Sequence, residues 1–277
     1  KIDDMLSSPY RVGQSSPQVK MLKLDLAKLG FIVSSNPNND YGPQTERVVR
    51  EFQKHYGLRV NGIADEVTLE KIATELKNKV RTVFIDPGHG GSDPGAVAGG
   101  YKEKDINLSV AKKVQSILKQ RGYDVIMSRS DDTTVGLYDR PQMANNLSNV
   151  DIFVSIHSNA NGNSSVNGIE SYYYKYKPEY PPTINENMHN NPQRIERSVT
   201  LTQLIHNKML SYTNANNRGT NGASFVVVRE TRIPATLLEL GYITNASERS
   251  KLVTASYQEK LAKAIADGIE EYFQFYD

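Results

Sequence analysis

The sequence feature that most constrains the fold is the run Val83-Phe84-Ile85, which stops at once in Asp86-Pro87-Gly88. Three consecutive β-branched or aromatic residues ending in a turn signal read as a buried strand that closes in a tight bend. The bend carries His89 among glycines, Gly88, Gly90 and Gly91, so no side chains crowd a group bound beside it. A polar turn with a solvated histidine has the same local pattern. What comes after it separates the two readings.

From residue 79 onward, short apolar runs alternate with helical periodicity. Helices are expected over residues 106–120, 140–147, 195–209 and 257–275. Strands are expected over residues 123–127, 152–156, 168–174, 225–228 and 236–240. The run Ile152-Phe153-Val154-Ser155-Ile156 is nearly continuous in apolar character, as in a strand covered on both faces. This alternation predicts an α/β domain with a mostly parallel twisted sheet between helices. Residues 178–191, rich in proline and asparagine, read as a surface insertion.

The first 78 residues follow a different pattern. Residues 1–9 are a polar lead-in. Ser16-Pro17 caps a helix carrying Val19, Leu22, Leu26 and Leu29, which Gly30 ends. After a polar loop over 34–42, a second helix runs from Pro43 to Tyr56, and Asp65 caps a third that ends near Leu76. The chain is therefore expected to hold a small all-α three-helix domain over 1–78 and a larger α/β domain over 79–277. The segment from Gly13 to Leu76 resembles the three-helix peptidoglycan-binding module of bacterial cell-wall hydrolases. The resemblance rests on Leu29-Gly30, Tyr41-Gly42, Phe52-Gln53, Gly57-Leu58 and Asn61-Gly62. Asn61 stands where that family usually has aspartate.

Composition excludes several classes of function. The formal net charge is +2, spread evenly over both parts, so nucleic acid is not implied as a partner. The chain has no cysteine, which removes disulfides and thiolate metal ligands. No run of about 18 apolar residues is present, so no membrane-spanning helix is expected. The sequence begins at Lys1 without methionine or an apolar signal segment, which fits a mature or trimmed form.

Ligand sites in open α/β sheets lie at the carboxyl ends of strands. The polar residues expected there are His89, His157 and Glu239, with Glu103 just ahead of the first long helix. Two histidines and a glutamate are a common ligand set for catalytic zinc, and a further carboxylate outside that set can act as general base. Glu239 is enclosed by leucines, where an unpaired carboxylate is costly and needs a partner or a task. The remaining histidines, His55, His189 and His206, lie by pattern on helix or loop surfaces and read as structural or solvated.

Residues 82–275 resemble the zinc-dependent N-acetylmuramoyl-L-alanine amidases of bacterial cell-wall turnover, spores and phages. The match runs through Ile85-Asp86-Pro87-Gly88-His89-Gly90-Gly91, Asp93-Pro94-Gly95-Ala96, Glu103, Ser128-Arg129 and Arg140. It continues through Ser155-Ile156-His157-Ser158-Asn159-Ala160, Gly168-Ile169-Glu170 and Glu239-Leu240-Gly241-Tyr242. It departs over residues 175–193. The resemblance implies that His89, Glu103 and His157 bind Zn2+ and that Glu239 is the catalytic carboxylate. It implies a peptidoglycan substrate and an extracellular or wall-associated protein, secreted or released by a phage at lysis. Two rivals are a zinc metallopeptidase cutting within the stem peptide and a non-catalytic wall-binding protein.

Overall fold

The computed structural model describes residues 9–34 and 37–276. The expected lead-in over 1–8 and part of the loop at 35–36 lie outside those residues. The chain divides between Val80 and Arg81 into two compact units.

The first unit holds α1 (Pro17–Lys28), α2 (Pro43–His55) and α3 (Glu66–Asn78), the three helices expected. Ser16 Oγ caps α1 by accepting from the Val19 N–H, and Asp65 caps α3 through the Thr68 N–H. Pro17 and Pro43 occupy first-turn positions, where a missing N–H costs nothing. Val19, Leu22, Leu26, Val48, Val49 and Phe52 are fully enclosed in one small core. Gln53, also fully buried, ties α2 to the turn that precedes α3. Its oxygen accepts from the N–H groups of Asn61 and Gly62, and its amide donates to Asn61 Oδ1. Asn61 Oδ1 also accepts from the Ile63 N–H at 2.9 Å. Asn61 Oδ1 meets these donors as an aspartate oxygen would, and its amide adds a hydrogen bond to the Asp65 carboxylate.

The second unit is built on a six-stranded sheet. Its strands are β1 (Thr82–Pro87), β4 (Asp124–Met127), β5 (Ile152–Asn159), β6 (Ile169–Tyr174), β7 (Asn217–Ala223) and β8 (Ala235–Tyr242). They lie in the order β4-β1-β5-β8-β6-β7, parallel except where β6 meets β8. A two-residue ribbon, β2 (Val97–Ala98) and β3 (Tyr101–Lys102), leads into α4 (Glu103–Gln120). The other helices are α5 (Asp139–Asn145), α6 (Pro192–Thr213), α7 (Val226–Arg229), α8 (Ala246–Leu252) and α9 (Ala255–Tyr276).

Period-two alternation divides the continuous apolar runs between two cores. Val83, Ile85, Val154, Ile156, Leu238 and Leu240 join the core shared with α4, α6 and α9. Phe84, Phe153 and Leu237 point to the opposite face, toward α5 and α7, where the Phe84 and Phe153 rings stack at 5.4 Å. Residues 86, 155, 157 and 239 share that second face by the same alternation. The chemistry of the sheet thus gathers on the α5/α7 side, at the carboxyl ends of the strands.

Two expectations need correction. Residues 225–228 form a helical turn rather than a strand, because a four-residue apolar run satisfies either period. The strand in that region is β7, whose sequence Asn-Arg-Gly-Thr-Asn-Gly-Ala shows no apolar alternation because it is an edge strand. His206 is buried rather than on a helix surface, in the structural role left open for it, held between Ser171 Oγ at 3.0 Å and Asn217 Oδ1 at 2.9 Å. Residues 178–191 lack regular structure as expected, but they are anchored at buried Asn185.

A polar clip joins the ends of the long helices. Asp267 on α9 accepts from Arg121 at the end of α4 (2.6 Å), from Lys263 (2.9 Å) and from the Tyr212 hydroxyl of α6. Burial alone would raise its carboxyl; these bonds outweigh burial and hold it down at about 2. A carboxylate depressed in the folded state stabilises above its unfolded value and loses that contribution as pH falls toward the folded one. Asp267→Asn is therefore expected to lower the unfolding temperature at pH 7, with the difference from wild type fading below pH 4 and gone only below pH 2. A pH series of thermal melts checks this; a constant difference across the series would contradict it.

Candidate metal centre and active site

The site begins where β1 ends. His89 adopts φ 61°, the left-handed region that non-glycine residues seldom enter. Such a conformation persists only where the surroundings enforce it, and here two buried arginines do so. Arg129 donates to the carbonyls of Pro87 and Gly88, both at 3.0 Å. Arg140 donates to those of Pro87 at 2.8 Å and His89 at 2.9 Å. Arg140 also pairs with Asp86 Oδ1 at 2.7 Å, and Ser128 and Ser155 donate to the same carboxylate. Asp86 is fully enclosed, so its charge depends on this pairing.

The held turn presents His89 to two residues distant in sequence. His89 Nε2 lies 3.2 Å from Glu103 Oε1, and His157 Nδ1 lies 3.0 Å from the same oxygen. One ligand atom from each residue lies within 4.8 Å of the others. Glu103 opens α4 and is oriented by its neighbours. Its Oε2 accepts from the Ala96 N–H, and its Oε1 accepts from the Ser158 N–H and the Asn107 amide one helical turn on. Asp93 Oδ2 sits 2.7 Å from His89 Nδ1, which fixes the tautomer that leaves Nε2 free as a ligand. Burial would raise the Glu103 carboxyl, but the two imidazoles hold it well below the usual range, so it is ionised. His89 is pushed the other way: burial lowers it, and its bonds to Glu103 and Asp93 outweigh that and raise it.

Two glycines make room for this cluster. A Cβ on Gly88 would lie 2.1 Å from His157 Cε1, and one on Gly95 would lie 2.7 Å from Glu103 Oε2. Gly88→Ala is expected to displace the His157 ring and weaken divalent metal binding by about 10-fold or more, with the fold retained. Metal titration of the folded variant checks this; unchanged affinity would show that the His157 ring position does not matter.

The donor set fits a catalytic zinc. It offers two imidazole nitrogens and one carboxylate oxygen, the neutral and anionic donors that zinc accepts with one position left open. Glu239 completes the arrangement. It is the register partner of His157 across the parallel β5–β8 pair, so both side chains leave the same face. Glu239 Oε2 is shut off from solvent and has no hydrogen-bond partner among the described residues. Burial pushes its carboxyl well above the usual range, reinforced by the negative charges of Glu103 and Glu170. Glu170 sits opposite Glu239 on β6, held by the Tyr242 hydroxyl at 2.9 Å and the Asn221 amide at 3.2 Å.

His89, His157 and Glu239 line one side of a cavity of about 730 Å³, whose walls also carry Leu137, Phe225 and Tyr180. The four residues named from sequence thus meet in one place. Asp93 and Asn107 join the site in addition to the four residues expected from sequence. Asp93 follows His89 by four residues in the same glycine-rich turn, and Asn107 follows Glu103 by four on a helix, spacings that could have marked both.

Comparison with known proteins agrees with this geometry. Residues 83–271 match the family described as N-acetylmuramoyl-L-alanine amidase, and residues 15–72 match a peptidoglycan binding domain family. The chain belongs to the N-acetylmuramoyl-L-alanine amidase family. It is 38% identical over 206 residues to the amidase LytC of Bacillus subtilis, a stretch covering 74% of this chain and 38% of LytC. It is 37% identical over 193 residues to the sporulation-specific amidase of the same organism, covering 69% of this chain and 68% of that protein. Among solved structures it resembles the CwlV catalytic domain of Bacillus (Paenibacillus) polymyxa var. colistinus. The TM-score is 0.61 at 38% identity, covering 70% of this chain and 99% of that one. AmiC2 of Nostoc punctiforme is similar at TM-score 0.60 and 36% identity, covering 70% and 97%. The amidase family domain thus coincides with the α/β unit, and the peptidoglycan-binding match with the three-helix unit. No helix among the described residues is long and apolar enough to cross a membrane.

Proposed function

We propose that residues 79–277 hydrolyse the amide between N-acetylmuramic acid and L-alanine in peptidoglycan, with zinc held by His89, Glu103 and His157 and with Glu239 as general base and acid. Residues 1–78 keep the enzyme on the polymer, and the protein works at the cell wall or outside the cell. The observation that carries this reading is the convergence of the three donors beside a buried carboxylate oxygen that has no other partner.

A zinc ion bound there supplies Lewis acidity toward the amide carbonyl and lowers the pKa of water to about 7. Glu239 takes a proton from the attacking water as the C–O bond forms, then delivers it to the nitrogen as the C–N bond breaks. The products are a muramic carboxylate and a free alanine amine. A carboxyl raised above its ordinary value by burial is a stronger base toward that proton than an ordinary carboxylate. Asp93 keeps His89 in one tautomer, and Asn107 keeps Glu103 aimed inward. The left-handed turn at His89 is held by Arg129 and Arg140 before any substrate arrives, which keeps the site preorganised. The three-helix domain raises the local concentration of substrate, since a tethered enzyme meets its bond as an intramolecular partner.

Mass spectrometry of fragments released from purified peptidoglycan tests the reading. New alanine amino termini with intact muramic acid, abolished by a chelator and restored by zinc, are expected. Cuts within the stem peptide, or release unaffected by the chelator, would contradict it.

A further inference from the structure

The insertion over residues 175–193 shapes the cavity. Lys177 and Tyr180 line the same space as His89, His157 and Glu239. The segment is fixed in place from below. Glu230, fully buried, accepts from the backbone N–H groups of Thr183, Ile184 and Asn185 at 2.8–3.1 Å. The buried Asn185 amide donates to the carbonyls of Arg229 and Thr231. The Tyr180 N–H donates to the Lys177 carbonyl at 3.0 Å, closing a turn that carries both side chains.

The cations along the cavity are not equivalent. Arg140 is fully engaged by Asp86 and by the carbonyls of Pro87, His89 and Val135. Arg229 is engaged by Glu230, the Ser224 carbonyl and the Tyr138 hydroxyl. Lys177 is exposed and has no carboxylate partner among the described residues. The carboxylates that line the cavity, Asp93 and Glu239, are the one bound to His89 and the one proposed as general base. Among the described residues, Lys177 is therefore the lysine or arginine of the lining that has no carboxylate partner, in a cavity that also carries Leu137 and Phe225.

We propose that Lys177 is a specificity residue that receives a free carboxylate of the stem peptide, the part of the substrate that departs with the amine. This rests on the amidase reading above. A mobile ammonium on a pinned turn suits a carboxylate whose position varies slightly between stems. Its attraction also favours acidic stems over amidated ones, which is selection by charge rather than by shape.

The test uses the full-length zinc-loaded enzyme, wild type, Lys177→Met and Lys177→Arg, on soluble muramyl peptides. One substrate has free carboxylates, one has a carboxamide at the second residue, and one has a carboxamide at the C-terminus. Lys177→Met is expected to raise KM for the free-carboxylate substrate about 3–10-fold with little change in kcat, and Lys177→Arg to restore most of the loss. Wild type should show the same KM rise on whichever carboxamide removes the recognised group, where Lys177→Met adds no further loss. Equal KM for Lys177→Met and wild type on the free-carboxylate substrate would overturn the inference. So would equal losses on all three substrates. If wild type cleaves none of them at the muramyl amide, the amidase reading itself fails, and this inference fails with it.

Discussion

Glu239→Gln is expected to bind zinc as wild type does and to lose about 10²–10⁴-fold of kcat. The substitution keeps the shape of the side chain and removes only its capacity to take and return a proton. Its effect on stability separates catalysis from folding. Glu239 Oε2 lies buried without a partner among the described residues, and the charges of Glu103 and Glu170 add to the cost of ionising it. A neutral amide relieves that cost, so the variant should unfold at the same temperature as wild type or a higher one. Lost turnover in a protein at least as stable, with full metal content, identifies proton transfer as the missing step. Turnover within a few-fold of wild type would move the general base elsewhere.

Arg140→Ala is expected to have the largest effect on stability, about 3–5 kcal/mol. The pair it forms with Asp86 has side-chain exposures of 5% and 0%, so the variant leaves a carboxylate enclosed and unpaired. The same guanidinium holds the Pro87 and His89 carbonyls, so the left-handed turn loses one of its two supports. Denaturant unfolding checks the first effect and zinc titration of the folded fraction the second, where weaker binding is expected. Adding Asp86→Asn should recover part of the stability, since the uncompensated charge goes with it, without recovering the metal affinity. A loss below about 1 kcal/mol would mean that the Asp86 charge is stabilised by the two serines alone.

Much of this was legible in the sequence because the residues that carry it sit where local pattern is strong. The apolar run over residues 152–156 and the abrupt stop after Ile85 both mark covered strands, and the rule for strand ends then points to His89, His157 and Glu239. Glu103 could not have been singled out by pattern alone. A charge at a helix start is ordinary, and only its convergence with two imidazoles separates it from a solvated one. His157 belongs to β5 itself rather than following it, because pairing with β8 extends the strand through Asn159. The edge strand β7 was hidden because polar and glycine residues suffice where one side of the strand is unpaired. His206 was misplaced because both of its partners, Ser171 and Asn217, come from strands and not from its own helix. In each of these cases what decides the outcome is a neighbour distant in sequence.

The central claim is that two imidazoles and one carboxylate hold a single cation with Glu239 at its open side. Anomalous diffraction at the zinc edge from crystals of the zinc-loaded protein tests it most directly. One peak is expected within about 2.0–2.2 Å of His89 Nε2, His157 Nδ1 and a Glu103 oxygen, with Glu239 facing it and not bonded to it. A peak that misses any of the three donors, or one ligated by Glu239, would contradict it.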